Sequence, residues 1–199
     1  MIVTINNQTW KFEHPTVDDI IRKINDETNE QTFFSYFIAD GQEIYDDHEL
    51  YLEDNLQNIN HLMIVLKTVQ ELIGDILLSA LDYIKRARPQ VEALVDVFYQ
   101  HADEEAWQSF SNFLEGLQWL NQSITITDQN EQKPKNWMQV LAATVSLQEV
   151  LLNLADALEN KDEVLIADIL QYEILPLLQR MQEEFETTID QEGYLYDVN

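Results

Sequence analysis

The chain has 199 residues, of which 45% are hydrophobic, enough for a well-filled core in one domain or two small ones, and far from the composition of a disordered chain. It contains no cysteine, which excludes disulfides, thiolate metal sites, iron–sulfur clusters and a cysteine nucleophile. Lys and Arg number 11 against 37 Asp and Glu, a net charge of −26 that repels phosphate backbones and anionic lipid, so neither nucleic acid nor a membrane is expected as a partner. Such a charge either keeps the surface solvated or draws in a basic protein.

In chain order, Ile2, Val3 and Ile5 alternate as in a strand, Asn6-Asn7 tolerates positive φ, and Trp10 to Glu13 returns as a second strand. Thr16 reads as the N-cap of a helix with Asp19 at N3, followed by Val17, Ile20, Ile21 and Ile24 at helical spacing. Phe33 to Ala39 predicts a strand turning at Asp40-Gly41. Leu62 to Leu66 predicts a last, fully apolar one.

The succession strand, strand, helix, strand, short elements, strand resembles the ubiquitin-like β-grasp over residues 1–67. Ile2-Val3-Thr4-Ile5 is similar to its opening strand and Thr16 to Ile24 to its capped helix. Phe37 to Ile44 resembles the strand and turn that follow, Asp54 to Ile59 the short turn, and His61 to Lys67 the closing strand. Ubiquitin-type modifiers end that strand in a free Gly-Gly tail. Here it runs on into Thr68-Val69-Gln70-Glu71, a second capping box, and the chain ends in Tyr196-Asp197-Val198-Asn199, so conjugation or thiocarboxylate chemistry is not expected. If Leu62, Ile64 and Leu66 face a core, alternation sends Met63 and Val65 outward, with Ile38 beside them. The resemblance implies that Ile38, Met63 and Val65 form a partner-binding patch; the other reading is that the first long helix covers this face.

From Thr68 the apolar period changes from two to 3.6. Val69, Leu72, Ile73, Ile76, Leu77, Ala80, Leu81 and Ile84 form one stripe, and Pro89 is expected to break or kink the helix at Arg88 before it resumes through Phe98. Asp103 caps the next helix. In its Trp107 to Ile126 stretch Glu115 is the only charge, and Trp107 and Trp119 point different ways, so part of this helix is buried on both sides or sits at an interface, by partner docking or self-association. Asp128 to Lys135 reads as a loop, Asn136 as the next cap, and Asn160 with Glu163 as the start of a last helix, in which Pro176 is expected to leave the Tyr172 carbonyl without its bond, beside Glu173. The fold class predicted is therefore α+β: a β-grasp unit at 1–67, an antiparallel bundle of four to five helices at 68–190, and a loosely ordered tail at 191–199. No Gly- or Pro-rich linker separates the two parts, which are expected to be rigidly joined.

Chemistry is sparse. The four histidines match no Glu-x-x-His di-iron pattern, and four glycines build neither a P-loop nor a dinucleotide fingerprint. Asp46-Asp47-His48-Glu49, in an expected loop, is the densest ligand group but fits neither an EF-hand nor a zinc spacing. No catalytic residue, cofactor or metal is assigned. The expectation is a non-catalytic protein-interaction or adaptor protein binding another protein, with Ile38, Met63, Val65, Trp107 and Trp119 as contact residues. The alternatives are a subunit of a secretion or assembly machine, by fold analogy alone, and a metal-dependent hydrolase or enzyme accessory using Asp46, Asp47 and His48. With no leader pattern and no apolar run near the roughly 18 residues a bilayer requires, a cytoplasmic location is expected.

Overall fold

The computed structural model describes residues 1–194. The chain is α+β and divides into two compact units, Met1–Leu72 and Ile73–Asn199.

In the first unit β1 (Ile2–Ile5) and β2 (Gln8–Lys11) form an antiparallel hairpin. Its turn is Asn6-Asn7, with φ of 47° and 63°, the left-handed pair that matches strand twist. Helix α1 (Val17–Glu27) opens with the expected capping box: Asp19 N–H donates to Thr16 Oγ1 at 3.2 Å, and Thr16 N–H donates to Asp19 Oδ2 at 3.0 Å. Strands β3 (Thr32–Ala39) and β4 (Gln42–Ile44) turn at Asp40 and Gly41, φ 49° and 93°. After α2 (His48–Asn55), β5 (His61–Thr68) completes a mixed sheet of order β2-β1-β5-β3-β4, with β1 and β5 parallel. Val3, Ile5, Ile20, Phe37, Leu52, Leu62 and Ile64 fill the core between sheet and helices.

Sequence reasoning leaves residues 46–49 in a loop, but His48 and Glu49 open α2. The reason is tertiary. The His48 ring stands edge-on to Phe34 and Phe37, at 4.8 and 5.3 Å between centroids, and its Nε2 lies 3.0 Å from the Ile44 carbonyl, which pins the first turn without a capping side chain.

Asp40 clasps the β3–β4 turn to the start of β5. Its carboxylate accepts the Asn60 N–H at 3.1 Å and the His61 N–H at 2.8 Å. These bonds, Asn60's foremost and then His61's, hold its pKa below the usual carboxylate value. A depressed folded pKa means stabilisation present above the unfolded value of about 3.9 and lost as pH falls through the lower folded one. Asp40→Asn is therefore expected to remove part of the acid-induced loss of stability, read by circular dichroism on titration below about pH 5. Acid unfolding unchanged by the substitution would count against the clasp.

Helix α3 (Val69–Tyr99) starts directly after β5, its first turn closed by the second capping box: Glu71 N–H donates to Thr68 Oγ1 at 3.2 Å and Thr68 N–H to Glu71 Oε2 at 2.7 Å. The expected break at Pro89 is absent, and the helix runs through it. Pro89 lies on the exposed side, where water can satisfy the carbonyl its ring leaves unbonded, while Ala87, Val91, Leu94 and Val95 hold the next turns in the core.

Helix α4 (Glu104–Asp128) is capped by Asp103, which accepts the Ala106 N–H at 2.9 Å. Asn136 precedes α5 (Trp137–Glu159) as expected but caps nothing. Its amide is spent on the last helix, donating to the Glu184 carbonyl at 3.3 Å and accepting the hydroxyl of fully buried Thr188 at 2.7 Å. Helix α6 (Glu163–Ile169) is capped not by Asn160 but by Asp162, which accepts the Leu165 N–H at 3.0 Å. A π-helical turn, Leu170–Ile174, then leads into α7 (Leu175–Glu192). Pro176 has no N–H for the Tyr172 carbonyl, and widening the helix by one residue just before it is the local response. Of the tail expected at 191–199, the described residues are 191–194. Helix α7 reaches Glu192, Gly193 ends it at φ 72°, and the Tyr194 ring lies against Gly74 of α3, where a Cβ would come within 2.8 Å of it. The Tyr196–Asn199 ending lies outside the described residues.

Candidate binding surfaces

The sheet of the first unit has an outer face whose composition follows from register. Ile38 pairs with Met63, and Tyr36 with Val65. Leu62 and Ile64 are buried, so their neighbours Met63 and Val65 turn to the other side. Met63 is 38% exposed, while Ile38 and Val65 are half-buried. Tyr36, two residues before Ile38, shares this face, where its ring lies 4.6 Å from that of Tyr45 and 5.4 Å from the Lys67 ammonium, while a register shift between Phe34 and Tyr36 inserts Ser35 and turns Phe34 to the core side. The Tyr45 hydroxyl donates to Glu43 at 2.7 Å, which raises its pKa. Alternation foretold Ile38, Met63 and Val65, and the same alternation carries Tyr36, which sequence reasoning did not single out. This face presents Ile38, Met63, Val65, Tyr36 and Tyr45 together with Glu43 opposite Ile38, Thr4 opposite Met63, and Lys67 beside Tyr36.

On α4 the structure separates the two tryptophans. Trp107 is half-buried, edge-on to Phe98 at 4.9 Å and to Phe110 at 6.1 Å. Trp119 is 40% exposed, with its ring edge against Tyr83 at 6.1 Å. Tyr83 donates to the Phe113 carbonyl at 3.0 Å, crossing α4 at Gly116, and its burial raises its pKa to about 12. An open groove of about 500 Å³ runs between α3 and α4 over Leu94, Val97, Ala106 and Phe113.

Where α3 ends and α6 begins, polar groups gather that sequence spacing did not join. His101 Nδ1 lies 3.2 Å from Glu163, and Tyr99 donates to Asp168 at 2.5 Å, a bond that raises the Tyr99 pKa to about 12. Among the described residues no three His, Asp or Glu side chains are arranged to hold a metal ion.

A family model described as a domain of unknown function (DUF8042) matches residues 75–184, more than half of the chain. The chain belongs to that family. No curated protein matches it, and no solved structure does. The DUF8042 segment runs from α3 into α7, so it contains Trp107, Trp119 and the His101 cluster, whereas Ile38, Met63 and Val65 lie outside it. It also contains a surface that sequence reasoning did not single out. Helix α5 is long and apolar enough to cross a membrane by length and composition alone, yet 28% of that window is buried in the fold, and Met138, Val145 and Leu152 on it are exposed. Continuous apolar runs are short there because Gln, Ser, Thr, Glu and Asn interrupt them, and the many Leu, Val and Ala residues keep the mean hydropathy high.

Proposed function

We propose that the chain is a non-catalytic protein-interaction module whose first unit is a ubiquitin-like β-grasp and whose second is an antiparallel helical bundle, and that a partner protein docks on the outer sheet face. The strand order β2-β1-β5-β3-β4, with β1 and β5 parallel at its centre and α1 following β2, supports the β-grasp reading. The observation that carries the binding reading is the pairing of Ile38 with Met63 and of Tyr36 with Val65 on the face turned away from the core. Apolar and aromatic side chains with Glu43 and Lys67 beside them give a mixed surface of the kind protein partners bury. The rival hydrolase reading loses support from His48, whose ring is wedged against Phe34 and Phe37.

The test is a photo-crosslinking side chain at Met63, with one at exposed Glu30 as control. A partner joined through position 63 alone, and lost with Ile38→Lys, is the expected result. Because Met63 is partly exposed, Met63→Lys is expected to change stability by no more than about 0.5 kcal/mol, measured by denaturant unfolding. Equal crosslinking at positions 63 and 30 would remove the sheet face as the docking site.

A further inference from the structure

Helix α4 returns along α3: Phe98 meets Trp107 near the turn between them, and Tyr83 meets Trp119 farther back. The open groove of about 500 Å³ between the two helices spans Gln90 to Val97 on one wall and Glu105 to Phe113 on the other. At about 1.5 Å per residue each wall is about 10–12 Å long, the reach of an i, i+4, i+7 series of side chains on a helix. The floor is apolar and nearly closed to water, with Leu94, Ala106 and Phe113 exposed by 5%, 7% and 6%. Ala93 and Val97 stand exposed on the α3 wall. Neither wall offers a strand edge. An extended peptide lying here would leave its backbone groups without protein partners, whereas a helix brings its own hydrogen bonds.

Charge selects among helices. The end of the groove at the α3–α4 turn is lined by Asp103 and Glu105, and exposed Asp96 and Glu104 adjoin Val97 and Glu105 in the chain. The α4 macrodipole brings about +0.5 of a charge to that end, too little to offset two carboxylates on the rim. No Lys or Arg occurs between Arg88 and Lys133, and none is among the described residues that line the groove. Arg88 turns to Gln182 of α7 at 2.9 Å, and Arg86 stands one turn before Gln90, toward the opposite end. His101, in the turn, lies 3.2 Å from Glu163 and does not line the groove. A second copy of the chain would bring a charge of −26 to an anionic rim. We infer that the α3–α4 groove docks a basic amphipathic helix of a partner protein, which seats two turns of apolar side chains over Leu94 and Phe113 and sets Lys or Arg against Asp103 and Glu105. The site lies within the DUF8042 segment and does not depend on the outer sheet face.

The probe is a fluorescein-labelled peptide of about two heptads, with leucines at i, i+4 and i+7 spacing and lysines on its other faces, added to the full chain and followed by fluorescence anisotropy. Binding in the micromolar range is expected, weakened by about tenfold with Glu105→Lys. Glu149→Lys, at an exposed site on α5, changes the net charge equally and should leave the affinity within about twofold. Ser109→Trp, exposed on the α4 wall, should abolish binding by filling the groove while the melting temperature stays in place. Ala93→Glu should weaken binding, because the seated peptide would cover the new carboxylate; attraction to the general field of the chain would strengthen it instead. Equal weakening by Glu105→Lys and Glu149→Lys would overturn the inference. So would undiminished binding to Ser109→Trp, equal binding of a peptide with glutamate at every lysine, or no binding of the lysine peptide at all. A dimer of the unliganded chain that Ser109→Trp dissociates would reassign the groove to a second copy.

Discussion

Phe98→Ala is expected to lower the stability of the helical unit by about 3–5 kcal/mol, the usual cost of emptying a large aromatic site from a core. Phe98 is 1% exposed and stands one residue from the end of α3. There its ring meets Trp107 at 4.9 Å and Phe110 at 5.3 Å, both edge-on. The three rings join the end of α3 to the first two turns of α4, so the cavity would open where little else ties these helices. Trp107→Ala removes a ring that is only half-buried and should cost less. Urea unfolding followed by tryptophan fluorescence and by circular dichroism measures both changes. A Phe98→Ala loss below about 1 kcal/mol would mean that the α3–α4 end collapses onto the vacancy.

Gly116→Ala should destabilise the same unit by about 1–3 kcal/mol, against the sign that helix propensity dictates. In an exposed helix interior that change gains about 1 kcal/mol. Gly116, however, lies under the Tyr83 phenol, and a methyl there would overlap its ring and hydroxyl. The hydroxyl is fixed by its bond to the Phe113 carbonyl, so the ring cannot swing away without leaving that bond unmade. The diagnostic is a double-mutant cycle: combined with Tyr83→Ala, Gly116→Ala should return to neutral or favourable. A destabilisation that persists without the tyrosine ring would place the strain elsewhere.

The residues that sequence reasoning read well act on neighbours three or four positions away. Asn6-Asn7, Asp40-Gly41, the Thr16 and Thr68 capping boxes and Asp103 each carry their structural consequence within one turn of backbone, so composition and spacing suffice. The positions it misread depend on a partner far along the chain. Asn136 has the chemistry of a cap, but Thr188 and the Glu184 carbonyl on α7 take its amide. Residues 46–49 have the polarity of a loop, but two phenylalanines of β3 hold His48 at the head of a helix. Pro89 carries a strong local signal for a break, and the core contacts of the residues after it outweigh that signal. Alternation placed Ile38, Met63 and Val65 on one face, whereas the bulge at Ser35, which turns Phe34 to the core beside Phe37, depends on pairing with β5 and leaves no local signal. The outward stripe of α5 escaped notice because a helix with two apolar faces yields a blurred one-sided pattern.

The contact of Tyr194 with Gly74 sets an order of events during synthesis. The first unit is complete in sequence once β5 has emerged, and nothing in its sheet waits for later residues. The second unit closes differently: the site at the start of α3 is filled by a ring from just beyond the end of α7, so nearly the whole unit must leave the ribosome before that contact exists. The first unit can therefore begin to fold before the second is synthesised, whereas the second closes only once the segment just beyond α7 has emerged, and truncations near residue 193 should slow or weaken that last step.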